Sequence, residues 1–170
     1  CSAFGGGEFA EQGTDIPTQL EKAKKRVADK IKDGKYIAYF QAFTNTYAPI
    51  DRLKKLFYTA IEPDYIVGLN IATRPDCLPD STIDLLRELN AIKPVTVELG
   101  LQTVHEATAR YIRRGYETEV YVDAVRQLKE AGIEYTLYCF PFDHVEPDEH
   151  AVGSLTMAFD PSCDCVMGIG

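Results

Sequence analysis

An α/β fold built on a parallel sheet is predicted by three features of the chain. Short β-branched and aromatic runs alternate with segments of helical periodicity. The alternation repeats at about thirty residues, the length of a βαβ unit. The runs themselves are close to continuously apolar, which predicts strands covered on both faces. Periodicity alone does not separate an open doubly wound sheet from part of a (β/α)8 barrel. Both gather their chemistry at the C-terminal ends of the strands.

Each element has its own signal. Leu20, Ala23, Val27, Ala28 and Ile31 recur at helical spacing, so a helix is expected over Pro17 to Lys32. Asp15 or Thr14 stands near its cap and Gly34 after its end. Lys35 to Phe43 reads as a buried strand. Leu53, Leu56, Phe57 and Ala60 place a second helix over Ile50 to Ile61. The cycle continues with a strand at Tyr65 to Ala72, a helix at Ser81 to Ile92 and a strand at Val95 to Leu101. A short helix at His105 to Ile112, a longer one at Glu117 to Ala131 and a strand at Ile133 to Phe140 complete the visible pattern. Beyond Phe140 the period is lost, and one short helix at Glu149 to Phe159 is the only further expectation.

Composition excludes several classes. The 170 residues suffice for one domain with its own core. Hydrophobic content of 45% and charged content of 26% are those of a globular protein and argue against disorder. No run of about eighteen apolar residues occurs, so no membrane-spanning helix is expected. With a net charge of −8, no broad positive surface for a duplex is expected. The cluster Lys22, Lys24, Lys25 and Arg26 reads as a solvated helix face. The five cysteines, Cys1, Cys77, Cys139, Cys163 and Cys165, are odd in number and show no CxxC spacing. A reducing cytoplasm is therefore expected, without a disulfide framework. His105, His144 and His150 lack the spacing of paired metal ligands.

Unusual residues fall where the strands end. Thr44, Asn45 and Thr46 follow the first strand, and Thr73, Arg74, Pro75 and Asp76 follow the second. Glu98 interrupts the third, with Gly100 and Gln102 just beyond. A carboxylate in a buried strand is costly unless it is paired or meets a ligand. Glu98 thus marks an edge position or a structural salt bridge, or else a hydrogen bond to a ligand hydroxyl or amine. Arg74 could simply pair with Asp76, and Arg113 and Arg114 before Gly115 could simply close a helix. The glycines Gly5, Gly6 and Gly7 fit neither GxxxxGK[ST] nor GxGxxG.

In combination, "CSAFGGGEFA", "YFQAFTNTYAP", "GLNIATRPDCLPD", "VELGLQTVHEATARYIRRGY" and "YVDAVRQLKEAGI" resemble the radical S-adenosylmethionine (SAM) enzymes. The likeness is to the YhcC-like branch, related to the catalytic subunit of elongator, and it covers Cys1 to about Glu134. It implies a partial (β/α) TIM-type barrel of the radical SAM kind. Residues 1–140 would form that partial barrel, and 141–170 a divergent or truncated end of the same domain.

The resemblance implies two cofactors, a [4Fe–4S] cluster and SAM. Cys1 matches the third of three cluster-ligating cysteines, the other two being expected upstream. Thiolates are the ligands such a cluster takes, and one alone does not hold it. Thr44 matches a contact to the methionine amino group. Glu98 and Gln102 match SAM-binding positions, and Arg114 a partner for the SAM carboxylate. Arg74 and Asp76 match a motif to which no role is assigned. Ala72 stands where the elongator pattern has Glu, as the YhcC-like branch allows. "CFPFDHVEPDEHAVG" stands where the family has a glycine-rich turn at the adenosine, so the match is lost there.

The expected activity is reductive cleavage of SAM to a 5′-deoxyadenosyl radical that attacks an unnamed substrate. An electron donor is implied, and kinship with elongator points to tRNA. An inactive gene fragment and a cluster-free TIM-barrel enzyme are the competing expectations.

Overall fold

The computed structural model describes residues 15–29, 31, 34–139 and 166–169. Helix α1 is Ile16–Val27, followed by β1 (Tyr36–Phe40), α2 (Ile50–Ile61) and β2 (Ile66–Thr73). A 3-10 turn at Pro75–Cys77 leads into α3 (Asp80–Asn90) and β3 (Val95–Gln102). Then come α4 (Glu106–Tyr111), α5 (Thr118–Glu130), β4 (Glu134–Cys139) and β5 (Val166–Ile169).

Local chemistry sets the ends of these elements. Asp15 caps α1, accepting the Thr18 N–H at 3.0 Å and its hydroxyl at 2.9 Å. These bonds hold the Asp15 carboxyl below its ordinary range. The helix ends at Val27 rather than Lys32, because the Ala28 N–H turns to the Lys25 carbonyl and tightens the last turn. Strand β1 ends at Phe40 rather than Phe43, where the chain leaves the sheet through a left-handed Phe43 with φ of 63°. Gly132, at φ 68°, takes the left-handed position after α5. At the opposite end of the sheet, the Lys93 ammonium donates to the carbonyls of Ile61 and Pro63 at 2.5 and 2.9 Å. It thereby closes the C-terminus of α2 with a cation.

All strand pairs are parallel, in the order β4-β3-β2-β1-β5. The four strands expected from the sequence form consecutive neighbours, and β5 adds to the free side of β1. The short helix expected at Glu149 to Phe159 lies outside the described residues. Register aligns Ala38 with Leu69 and Leu69 with Val95, and Phe40 with Ile71 and Ile71 with Val97. These rows face α1, α2, α3 and α5 through Leu20, Leu53, Phe57, Leu86 and Leu128, all buried. Phe40 meets Phe57 edge to face with centroids 5.1 Å apart.

The other face corrects the expectation of burial on both sides. Its rows are Tyr39, Asn70, Thr96 and Glu134, and then Ala72, Glu98 and Thr136. Apart from the buried Tyr39 and the exposed Glu134, these residues are half-buried. Strand β3 alternates strictly, with Val95, Val97, Leu99 and Leu101 buried and Thr96, Glu98, Gly100 and Gln102 half-buried between them. An apolar run in a parallel strand normally means two covered faces. Here one set of alternate positions is polar, and no described helix packs on it. Among the described residues no helix is long and apolar enough to cross a membrane.

Phe57→Ala is expected to lower stability by about 3–5 kcal/mol, read from urea unfolding. Tyr47→Ala, at an 82% exposed position, should change it by about 0.5 kcal/mol or less.

Candidate functional site

The C-terminal ends of the parallel strands share one rim, and each loop on it is pinned by its own side chains. After β1, the Asn45 side-chain amide donates to the carbonyls of Phe40 and Ala72 at 2.9 and 2.8 Å. One residue thus ties the exits of two strands. Thr46 is buried beside it, and its hydroxyl donates to the Cys77 carbonyl at 2.6 Å. The same oxygen lies 2.6 Å from the Thr73 hydroxyl. A hydroxyl has one proton to give, so Thr73 is the donor in that pair. Thr44 stands beside this network, half-buried, with its carbonyl accepting the Tyr47 N–H at 3.1 Å. Phe43, in its left-handed conformation, is 70% exposed at the same rim. Left-handed backbone at a non-glycine residue gathers where function constrains the chain.

The end of β3 carries the second group. Glu98 is half-buried, and its Oε2 accepts the Tyr39 hydroxyl at 2.6 Å. Burial pushes the Glu98 carboxyl above its ordinary range, and the bond from Tyr39 opposes that rise. Four residues on, Gln102 is left-handed with φ of 69°. A Cβ at Gly100 would lie 2.8 Å from the Gln102 Nε2, so only glycine lets that amide lie over the strand. The Gly100 carbonyl also accepts the Tyr116 hydroxyl.

Arg114 joins the loops that follow. Its side chain is 1% exposed. Nε donates to the Tyr116 carbonyl at 2.9 Å and Nη1 to the Thr103 carbonyl at 2.7 Å. Nη2 donates to Glu106 Oε1 at 3.0 Å and to the Thr118 hydroxyl at 3.2 Å. The guanidinium therefore locks the end of β3 to the starts of α4 and α5. Thr118, above all through its hydroxyl, holds the Glu106 carboxyl down at about 2, with Glu117 and Arg114 adding to the effect. Glu117 rises in turn because its carboxyl shares a hydrogen bond with Glu106.

The Tyr116 ring lies 4.6 Å from the Arg114 guanidinium and 5.4 Å from that of Arg74. Arg74 grips Asp76 with two bonds of 2.9 and 2.7 Å, as the simple pairing expected of it requires. Gly115, at φ 86°, sits against it; a Cβ there would come 3.1 Å from Arg74 Nη2.

The structure thus gathers Glu98, Gln102 and Arg114 at the end of β3. Thr44 lies on the same rim, with β2 between. Arg114 points its donors into the protein, whereas its neighbour Arg113 is exposed. Cys1 and the glycines Gly5 to Gly7 lie outside the described residues, as do Cys163, Cys165, His144 and His150. Among the described residues no group of three or more His, Cys, Asp or Glu side chains could hold a metal ion. Tyr39 and Tyr116 are the residues that sequence reasoning missed. Tyr39 reads as core within "YIAYF", and Tyr116 follows a glycine with no motif of its own. A groove of about 770 Å³ opens elsewhere, between α5 and the loops carrying Thr46 and Cys77, and contains none of the rim residues predicted to bind a cofactor.

The sequence pattern of the radical SAM superfamily matches residues 4–157. The chain belongs to the radical SAM superfamily. It is 53% identical over 134 residues to YtqA of Bacillus subtilis, covering 78% of this chain and 42% of that one. YhcC of Escherichia coli K12 is 35% identical over 135 residues, covering 79% and 43%. The chain therefore spans less than half the length of these relatives. In fold it is similar to the archaeal Elp3 of Methanocaldococcus infernus lacking residues 1–46. That match has a TM-score of 0.57 at 19% identity, over 75% of this chain and 36% of that one. The radical SAM chain so identified carries a TIM-barrel-like α/β core, as the resemblance implies.

Arg114→Ala is expected to cost about 1–3 kcal/mol in chemical unfolding, because it removes the donors that meet the Thr103 and Tyr116 carbonyls. Glu98 sets a pH dependence of known sign. Its folded pKa lies above the ordinary 4.5, so its contribution is fully present below that value and is lost as pH rises through the folded one. Glu98→Gln should therefore gain stability relative to the parent as pH rises through that window, measured as unfolding midpoints across pH.

Proposed function

We propose that the chain forms the SAM-holding part of a radical SAM enzyme, with the ligand at the rim around the end of β3. The observation that carries this reading is the half-buried polar face of the sheet, on which no described helix packs. It ends in the carboxyl of Glu98 and the left-handed Gln102 over Gly100. Hydroxyl, amide and carboxyl groups on one face are of the kinds that pair with the amino, carboxylate and ribose groups of SAM. Glu98 and Gln102 would accept from and donate to the ligand's polar atoms, and Thr44 would bind the methionine amino group from the β1 side. Arg114 would serve the SAM carboxylate through the backbone it fixes, since four of its N–H bonds are made within the chain.

The cluster, when bound, supplies the electron that splits SAM into methionine and a 5′-deoxyadenosyl radical. Cys1 would be one of its ligands. The protein's own contribution is to orient SAM and to keep water from the cleaved bond. A tRNA substrate, proposed from kinship with elongator, has no support from the net charge of −8.

The test uses the protein extended upstream of Cys1, reconstituted anaerobically with iron and sulfide and given SAM and a reductant. 5′-Deoxyadenosine from the parent and none from Cys1→Ala is the expected outcome. No nucleoside from either folded protein would leave a cluster-free barrel or an inactive fragment as the better account.

A further inference from the structure

We infer that Tyr39 is a positioning residue for Glu98: its hydroxyl reaches across β2, over Ala72, and fixes the carboxyl at the floor of the rim. The inference rests on the SAM reading above for the ligand that Glu98 would meet. The bond itself is independent of that reading.

The register explains why these two residues can meet. Tyr39 lies beside Asn70, and Asn70 beside Thr96, so Glu98 sits one pleat nearer the rim than the tyrosine. Ala72 lies directly beside Glu98 on the strand between. Strands β1 and β3 are two spacings apart, about 10 Å. Only a long side chain spans that distance, and only over a small neighbour. Tyr39 is 8% exposed, so its ring is held by packing, and the bond to Glu98 Oε2 is 2.6 Å long. The other carboxylate oxygen, Oε1, is the one a ligand hydroxyl or amine would meet.

The surroundings give the bond its consequence. On the same face, the described groups around Glu98 are Asn70 and Ala72 on β2, Thr96, Gly100 and the Gln102 amide over it on β3, and Thr136 on β4. Glu134 lies one pleat further from the rim, beside Thr96. Among these described neighbours there is no lysine or arginine to favour the ionised carboxyl. Burial disfavours it, and the donated hydrogen bond from Tyr39 acts against burial. Tyr39 thus fixes where the carboxyl sits and offsets part of the rise that burial imposes on its ionisation.

The experiment follows the Glu98 side-chain carboxyl carbon by NMR in the chain labelled at glutamate, with Glu98→Gln identifying the signal. Tyr39→Phe should raise the titration midpoint by about one unit, a tenfold change in proton affinity. Ala72→Val should raise it too, by interposing bulk while leaving both polar groups present. SAM added as the probe should bind about three- to tenfold more weakly to Tyr39→Phe, with the largest loss between the two midpoints. A role in packing alone would lower the stability of Tyr39→Phe and leave the midpoint where it was. An unmoved midpoint in both folded variants would overturn the inference, and the SAM reading would stand if Glu98→Gln still loses affinity. A raised midpoint with SAM binding indifferent to Glu98→Gln would instead overturn the SAM reading, and the ligand role given to Tyr39 with it.

Discussion

Everything else in the structure depends on the two sides of the sheet being unlike. One side is a continuous apolar surface, with Ala38, Leu69 and Val95 in one row and Phe40, Ile71 and Val97 in the next. The helices fold onto that surface because their own apolar stripes have nowhere else to go. The hydrophobic effect is non-directional, so it gathers the layers without placing a single rim residue. Placement comes from register, which puts Glu98 beside Ala72 and within reach of Tyr39.

The loops then need their own fastenings, because their backbone groups have left the ladder of the sheet. Asn45 ties two strand exits together with one amide, and Thr46 ties the following turn. Arg114 does the same for three elements at once, and its planar fork suits several fixed carbonyl and carboxylate acceptors better than an ammonium would. Tyr116, between two guanidiniums, connects the turn after β2 to the loop after β3. The rim is a set of braced loops, held in place by bonds within the chain.

Much of this was legible in the residues. The order of strands and helices followed from periodicity, and Asp15 and Gly132 marked helix ends by chemistry that acts within a few residues. Glu98 stood out because a carboxyl amid valines and leucines is costly. The partners were not legible. Tyr39 and Glu98 are 59 positions apart, and a tyrosine in an apolar run carries no mark of which face it takes. Arg114 showed the same limit, since an arginine before a glycine reads as an exposed helix end. The polar character of the bare face was written in the alternation of "VTVELGLQ", but the neighbouring strands obscured it with Ile37 and Ala72.

The division between the two faces also bears on how such a protein can change over generations. On the covered side a substitution disturbs a close-packed interior, and the fold itself resists it. On the bare side, Asn70, Thr96 and Thr136 support little of the fold, so they can be exchanged without loss of the scaffold. Asn45, Thr46 and Arg114, which fasten the rim loops, are tied to the scaffold by their own bonds. A lineage built on this sheet can therefore alter what it recognises by editing alternate letters of three strands, while the letters between them stay as they are.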